Sequence, residues 1–151
     1  MGNTKFNPNQ LPDTIPQPFS ITLTPTQIKT LRASPITLIS APGVGFVIRI
    51  LAANYTYIAG TTPYTVGSNK KLQLFYGSSE PFDYSVLADG LLNAADSTFI
   101  YAGIDFASGT PTLLSSLENL PIVLHQNDSV EFADGDGTCK VTINYTIDPV
   151  S

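Results

Sequence analysis

At 151 residues and 16.1 kDa the chain is long enough to bury one substantial core, and 42% hydrophobic residues exclude disorder throughout. Only 13% of residues are charged, about half the roughly 25% usual for soluble domains, so uncharged Thr, Ser, Asn and Gln must carry the polar surface. A net charge of -5 and a pI near 4.5 argue against nucleic acid as the main partner, and the longest apolar run, residues 46–53, is too short and too interrupted by Arg49 to span a membrane.

The charge is divided along the chain: residues 1–71 carry +5, and residues 72–151 carry -10. Interleaving of the two halves in a folded sandwich would neutralise much of this, whereas separated patches would pair between subunits. One cysteine excludes an internal disulfide, and no CxxC or Cys/His cluster points to zinc. The polar opening MGNTKFNPNQ is no secretory signal, and Phe6 stands where myristoylation wants Ser or Thr. These features predict a chain kept in a reducing cytosol or assembled there into something larger.

Residues 1–19 are read as an extended arm. Pro8, Pro12, Pro16 and Pro18 remove backbone donors and favour extended backbone, while Phe6, Leu11, Ile15 and Phe19 are spaced apolar anchors. Such an arm is expected to order against a neighbouring subunit, with Lys5 adding a contact to an acidic neighbour. Residues 20–151 form the β domain. ITLT predicts a strand, and Thr24-Pro25-Thr26-Gln27 is a capping box with proline at the first helical position. A short helix follows, with Ile28 and Leu31 on its apolar edge. PITLIS predicts a strand, Pro42-Gly43 the centre of a type II turn, and VGFVIRILAANY a longer, central strand, apolar on both faces apart from Arg49. KLQLFYG, STFIYAGI, LPIVLHQ, SVEFA and TCKVTINYTI supply further strands. The last is the cleanest: Cys139, Val141, Ile143, Tyr145 and Ile147 alternate with polar residues. Residues 78–96 resist assignment. About eight strands, one short helix and many Gly/Pro turns predict an all-β fold, an antiparallel, jelly-roll-like sandwich.

The segment FADGDG, residues 132–137, begins like a calcium loop. An EF-hand starting at Asp134 needs glycine at position 6 and a glutamate at position 12, where this chain has Cys139 and Tyr145. The expectation is a hairpin turn at Asp134, Gly135, Asp136 and Gly137, with no metal. His125, the single histidine, has no GxSxG elbow to serve and is expected exposed at a strand end. Cys139 is expected to be a buried, inert thiol. No catalytic residues are assigned and no cofactor is expected, since phosphate-cradling Gly-rich patterns are absent.

ITLTPTQIKTLRASPITLISAPGVGFVIRI and PIVLHQNDSVEFADGDGTCKVTINYTI together resemble small β-sandwich capsid decoration, or cement, proteins of tailed bacteriophages. The shared features are the strand, short helix, Pro-Ile strand and APG turn of the opening, and the Gly-Asp-Gly turn before the last strand. The resemblance implies a structural virion protein, not an enzyme, assembled in the host cytoplasm. It would bind the outer capsid surface as a homo-oligomer, a trimer, with the major capsid protein as partner and neither nucleic acid nor membrane. A second reading is a tail or fibre module binding host glycan through exposed Tyr55, Tyr57, Tyr64 and Tyr76.

Overall fold

The computed structural model describes residues 15–77, 80–102, 114–127 and 129–150. The first strand, β1 (Gln17–Leu23), runs into the helical turn α1 (Pro25–Lys29). The expected capping box is present: Gln27 N donates to Thr24 Oγ1 at 3.3 Å, and Thr24 N donates to Gln27 Oε1 at 2.9 Å. Ile28 and Leu31 are fully buried, each contributing roughly 1.5–3 kcal/mol through apolar burial. Next come β2 (Ile36–Ile39) and the 13-residue β3 (Phe46–Ile58). Between them Gly43, at φ +106°, takes the positive-φ position that the Pro-Gly turn requires.

The chain continues through β4 (Tyr64–Thr65), β5 (Lys71–Tyr76), β6 (Glu80–Leu87), α2 (Ala88–Leu91) and β7 (Thr98–Ala102). It ends with α3 (Leu114–Leu117), β8 (Ile122–Gln126), β9 (Ala133–Asp134) and β10 (Thr138–Pro149). One sheet has the order β1-β10-β3-β7 and the other β2-β8-β5-β6, while the two-residue strands β4 and β9 pair with each other. With β4 and β9 set aside, eight long strands remain among the described residues. The first pairs with the eighth, the second with the seventh, the third with the sixth and the fourth with the fifth, all antiparallel. That is one long hairpin rolled over on itself, the strand order of a jelly roll. The core lies between the two sheets and includes Leu23, Ile48, Tyr55, Leu74, Leu124 and Val141.

The all-β sandwich is as expected, but several elements differ. Residues 80–87 form β6, unrecognised because Pro81 and Asp83 break its pattern. Proline is tolerated there because β6 is an edge strand of its sheet. SVEFA is not a strand before Ala133: Phe132 plugs the core, and the Glu131 carboxylate turns onto the backbone N–H groups of Arg32 (3.1 Å) and Ala33 (2.7 Å). Strand β3 is an interior strand, but its apolar residues reach both faces for a different reason. Opposite Asn144 and Tyr145 the register slips by one residue at Leu51, so Ala53, Tyr55 and Tyr57 face inward beyond the bulge and Ile48 and Ile50 before it. Besides α1, two further helical turns occur among the described residues, α2 and α3.

Strand β1 starts within the span read as arm. Phe19 pairs with Ile143 of β10 and packs against the core. Ile15, just before the strand, is 71% exposed. Lys5, Phe6 and Leu11 lie outside the described residues. The basic and acidic halves interleave, with β10 set between β1 and β3, and Arg49 Nε pairs with Asp148 Oδ2 at 2.6 Å across β3 and β10.

Candidate interaction surfaces

FADGDG turns the chain, but it does not make the expected hairpin. Strand β9 pairs with β4 and β10 with β1 and β3, so the segment is a corner where the chain crosses from one sheet to the other. Its carboxylates point at a threonine-rich loop. Asp136 accepts from Thr61 Oγ1 (2.5 Å) and from Thr62 N (2.8 Å), and Asp134 accepts from Thr65 Oγ1 (2.6 Å). The Thr61 hydroxyl and then the Thr62 N–H hold the Asp136 carboxyl below the usual carboxylate range. Beneath the corner, Tyr64 Oη donates to Gly137 O at 2.7 Å, and the Tyr57 and Tyr64 rings meet edge to face at 6.3 Å. Burial, more than the nearby carboxylate, pushes the Tyr57 phenol above its ordinary pKa. The glycines are demanded by contact: a Cβ on Gly135 would land on the Tyr64 ring, and one on Gly60 would land on the Asp136 carboxylate. Both Asp136 oxygens and one Asp134 oxygen are thus bound to the protein's own donors, and no group of three His, Cys, Asp or Glu side chains converges among the described residues.

The tyrosines expected to face a glycan are core residues. Tyr55 and Tyr57 are fully buried, and Tyr64 and Tyr76 are 2% exposed. The sequence reading mistook them because hydroxyl-bearing aromatics alternate in strands on either face. In the interior the Tyr64 and Tyr76 hydroxyls donate to Gly137 O and Ile48 O, whereas the buried Tyr57 hydroxyl has no hydrogen-bond partner. Cys139 is buried, and burial raises its thiol to about 12, as expected of an inert cysteine.

Two outward faces are left as surfaces of interest. On the first sheet, cross-strand rows run Ser20–Thr142–Asn54–Tyr101 and Thr22–Lys140–Thr56–Phe99. Their inner positions are short and mostly uncharged, and the Ser20 and Thr142 hydroxyls lie 3.2 Å apart. At the edge, on β7, Phe99 and Tyr101 stack edge to face, with centroids at 4.7 Å and an interplanar angle of 87°. They are 50% and 70% exposed, and Ile58, diagonal to Phe99 on β3, is 50% exposed. Sequence reading placed a strand here but missed this pair. Its signal was two aromatics two residues apart in a strand whose intervening residue, Ile100, faces the core.

On the second sheet a concave site of about 580 Å³ is lined by Pro35, Thr37, Phe75, Gly77, Val123 and His125. Thr37, Val123 and Phe75 form one cross-strand row over β2, β8 and β5. His125 is partly buried in this sheet face rather than exposed at the strand end. Its ring meets Phe75 edge to face at 5.5 Å, and its Nδ1 is buried without a hydrogen-bond partner.

No family model matches the chain, and no curated protein matches it. Among solved structures the chain is similar to the cyanophage Pam1 capsid asymmetric unit, at a TM-score of 0.40 and 15% identity over 87% of this chain and 82% of that one.

Proposed function

We propose that the protein is a structural component of a tailed-bacteriophage virion, a decoration protein that binds the outer capsid surface and cements neighbouring capsid subunits as a homotrimer. The observation that carries this reading is the outer face of the first sheet. Interfaces are depleted of charge at their centre and enriched in aromatics, and here Lys140 is the single charge in two cross-strand rows bordered by Phe99, Tyr101 and Ile58. The edge strand β7 adds backbone groups able to pair with a partner's strand. The opening motif shared with decoration proteins supports the same reading, since its strand, capped helical turn, second strand and Pro-Gly turn are all formed. The N-terminal arm acts as a clamp on a neighbouring subunit. Its prolines lower the ordering cost, because they restrict the free chain before it binds.

The test is co-sedimentation with capsids stripped of decoration protein, together with light scattering. Wild type binds as a trimer, and Phe99→Ser with Tyr101→Ser together weaken attachment. A stable monomer at micromolar concentration, or undiminished attachment of the double variant, would overturn the reading. A second reading, a module binding host glycan, keeps one specific support. Tyr101 is 70% exposed, and it stands in a row with the polar side chains of Asn54 and Thr142. Glycan binding lost on Tyr101→Ala, with capsid attachment intact, would favour it.

A further inference from the structure

Among the described residues the two large sheets have four edge strands, β1 and β7 in the first and β2 and β6 in the second. An edge presents a row of backbone N–H and C=O groups to any other strand, and proteins guard it with proline, charge, bulges or short length. Three of the four are guarded in this way. β1 carries Pro18, and β6 carries Pro81 with the charged residues Glu80 and Asp83. β2 is four residues long, with a register break between Thr37 and Ile39. β7, Thr98–Ala102, has none of these devices. Its sequence TFIYA holds no proline and no charge, it pairs with β3 in unbroken register, and four of its five residues are of types that favour strands.

β7 is also its own complement. Set antiparallel to a second copy about a two-fold axis at Ile100, Phe99 of each strand stands opposite Tyr101 of the other, and Ile100 stands opposite Ile100. Opposed residues share a face of the sheet. The two aromatic pairs therefore fall on the outer face, where Phe99 and Tyr101 are exposed, and the Ile100 pair falls on the inner face, where Ile100 packs on the core but is only partly buried. Aromatic pairs stabilise a sheet and opposed like charges weaken it, and this register contains the first and none of the second. A slip of one residue would turn the aromatics of one copy to the wrong face. A slip of two would carry Phe99 or Tyr101 past the end of the opposing strand.

We infer that β7 pairs antiparallel with β7 of a second copy of the chain, in the register that sets Phe99 against Tyr101, so that two first sheets join into one. A two-fold contact closes after two copies, so it lies between trimers and not inside one. The inference rests on the reading above for the trimer and the shell, and it names the partner of the edge strand there. A strand edge about 17 Å long covers less than the roughly 800 Å² per partner of a standard stable interface. The contact therefore forms where copies are already crowded, as side by side on a capsid, and ties neighbouring trimers together.

The test uses full-length protein without capsids, so it is independent of capsid attachment. Chains carrying Phe99→Cys are mixed at high concentration with chains carrying Tyr101→Cys and oxidised, the native Cys139 being buried. Both substituted positions are exposed, and far-UV spectra confirm that the variants fold. Directly opposed residues have Cα atoms about 4.5–5.5 Å apart, within the roughly 4.4–6.8 Å that a disulfide spans. Like positions in this register are diagonal, about 7–8 Å apart, and bridge poorly. The expected product is the mixed disulfide, about tenfold or more above either like-with-like disulfide, since pairing raises the effective concentration of the opposed thiols. In that product the second Phe99–Tyr101 pair of the two-fold contact is kept. A mixed yield at the level of random encounter would overturn the proposal, and so would a like-with-like disulfide as the main product. If either occurs while Phe99→Ser with Tyr101→Ser still weakens capsid attachment, the capsid reading stands and the edge belongs to the shell. If the mixed disulfide forms and capsids do not bind, the strand pairing stands and the capsid reading fails.

Discussion

Replacing Gly135 by alanine tests the corner that FADGDG builds. Gly135 sits at φ +57°, a left-handed conformation that costs an L-residue about 1–2 kcal/mol. The added methyl would also fall on the Tyr64 ring. That ring cannot easily withdraw: it is 2% exposed, its hydroxyl is bonded to Gly137 O at 2.7 Å, and its edge meets Tyr57. Forcing extra volume into such a site costs typically about 1–3 kcal/mol, giving roughly 2–5 kcal/mol in all. Gly77 is the control. Its φ of +63° is nearly the same, but its added methyl meets only the flexible end of Leu120, at 3.4 Å. Gly77→Ala therefore bears the backbone cost alone, about 1–2 kcal/mol. Urea unfolding followed by circular dichroism should place Gly135→Ala below Gly77→Ala by about 1–3 kcal/mol, with unchanged slopes. In thermal melts that gap corresponds to roughly 2–12 °C for a chain of this length. Equal losses from the two substitutions would refute the claim that Tyr64 closes against the corner.

Chelator should leave the melting temperature unchanged, because the Asp134 and Asp136 carboxylates already accept from threonine donors; a calcium-dependent rise abolished by Asp136→Ala would contradict this. The depressed Asp136 pKa favours its ionised form in the folded state, so its stabilisation is present above the unfolded value near 3.8 and is lost as pH falls through the lower folded value. Urea midpoints should therefore separate wild type from Asp136→Asn at neutral pH and converge below about pH 4; a constant separation down to pH 2 would show that ionisation is not what matters. The Cys139 thiol, raised to about 12 and buried, should resist a thiol reagent at pH 8 until the protein is unfolded. Rapid labelling under native conditions would show that the β10 face opens.

The sequence alone determined the elements that short-range forces fix. Thr24 and Gln27 cap α1 through groups three residues apart, and Cys139, Val141 and Ile143 alternate because a strand has one buried face. The low charge and the failed calcium spacing were equally plain, because each depends on residue identity alone. What the tertiary structure decided depends on which distant strand lies alongside. The slip at Leu51 exists only through pairing with β10, and it reverses which residues of β3 face inward. β6 survives Pro81 because it is an edge. The corner at Asp134–Gly137 became a crossing between sheets because β9 found β4. Inward or outward placement also separated the four core tyrosines from Tyr101, and the Phe75–His125 notch is joined from strands fifty residues apart. Side-chain chemistry is local and can be read along the chain, whereas register, burial and the meeting of faces are set by contacts between strands far apart in sequence.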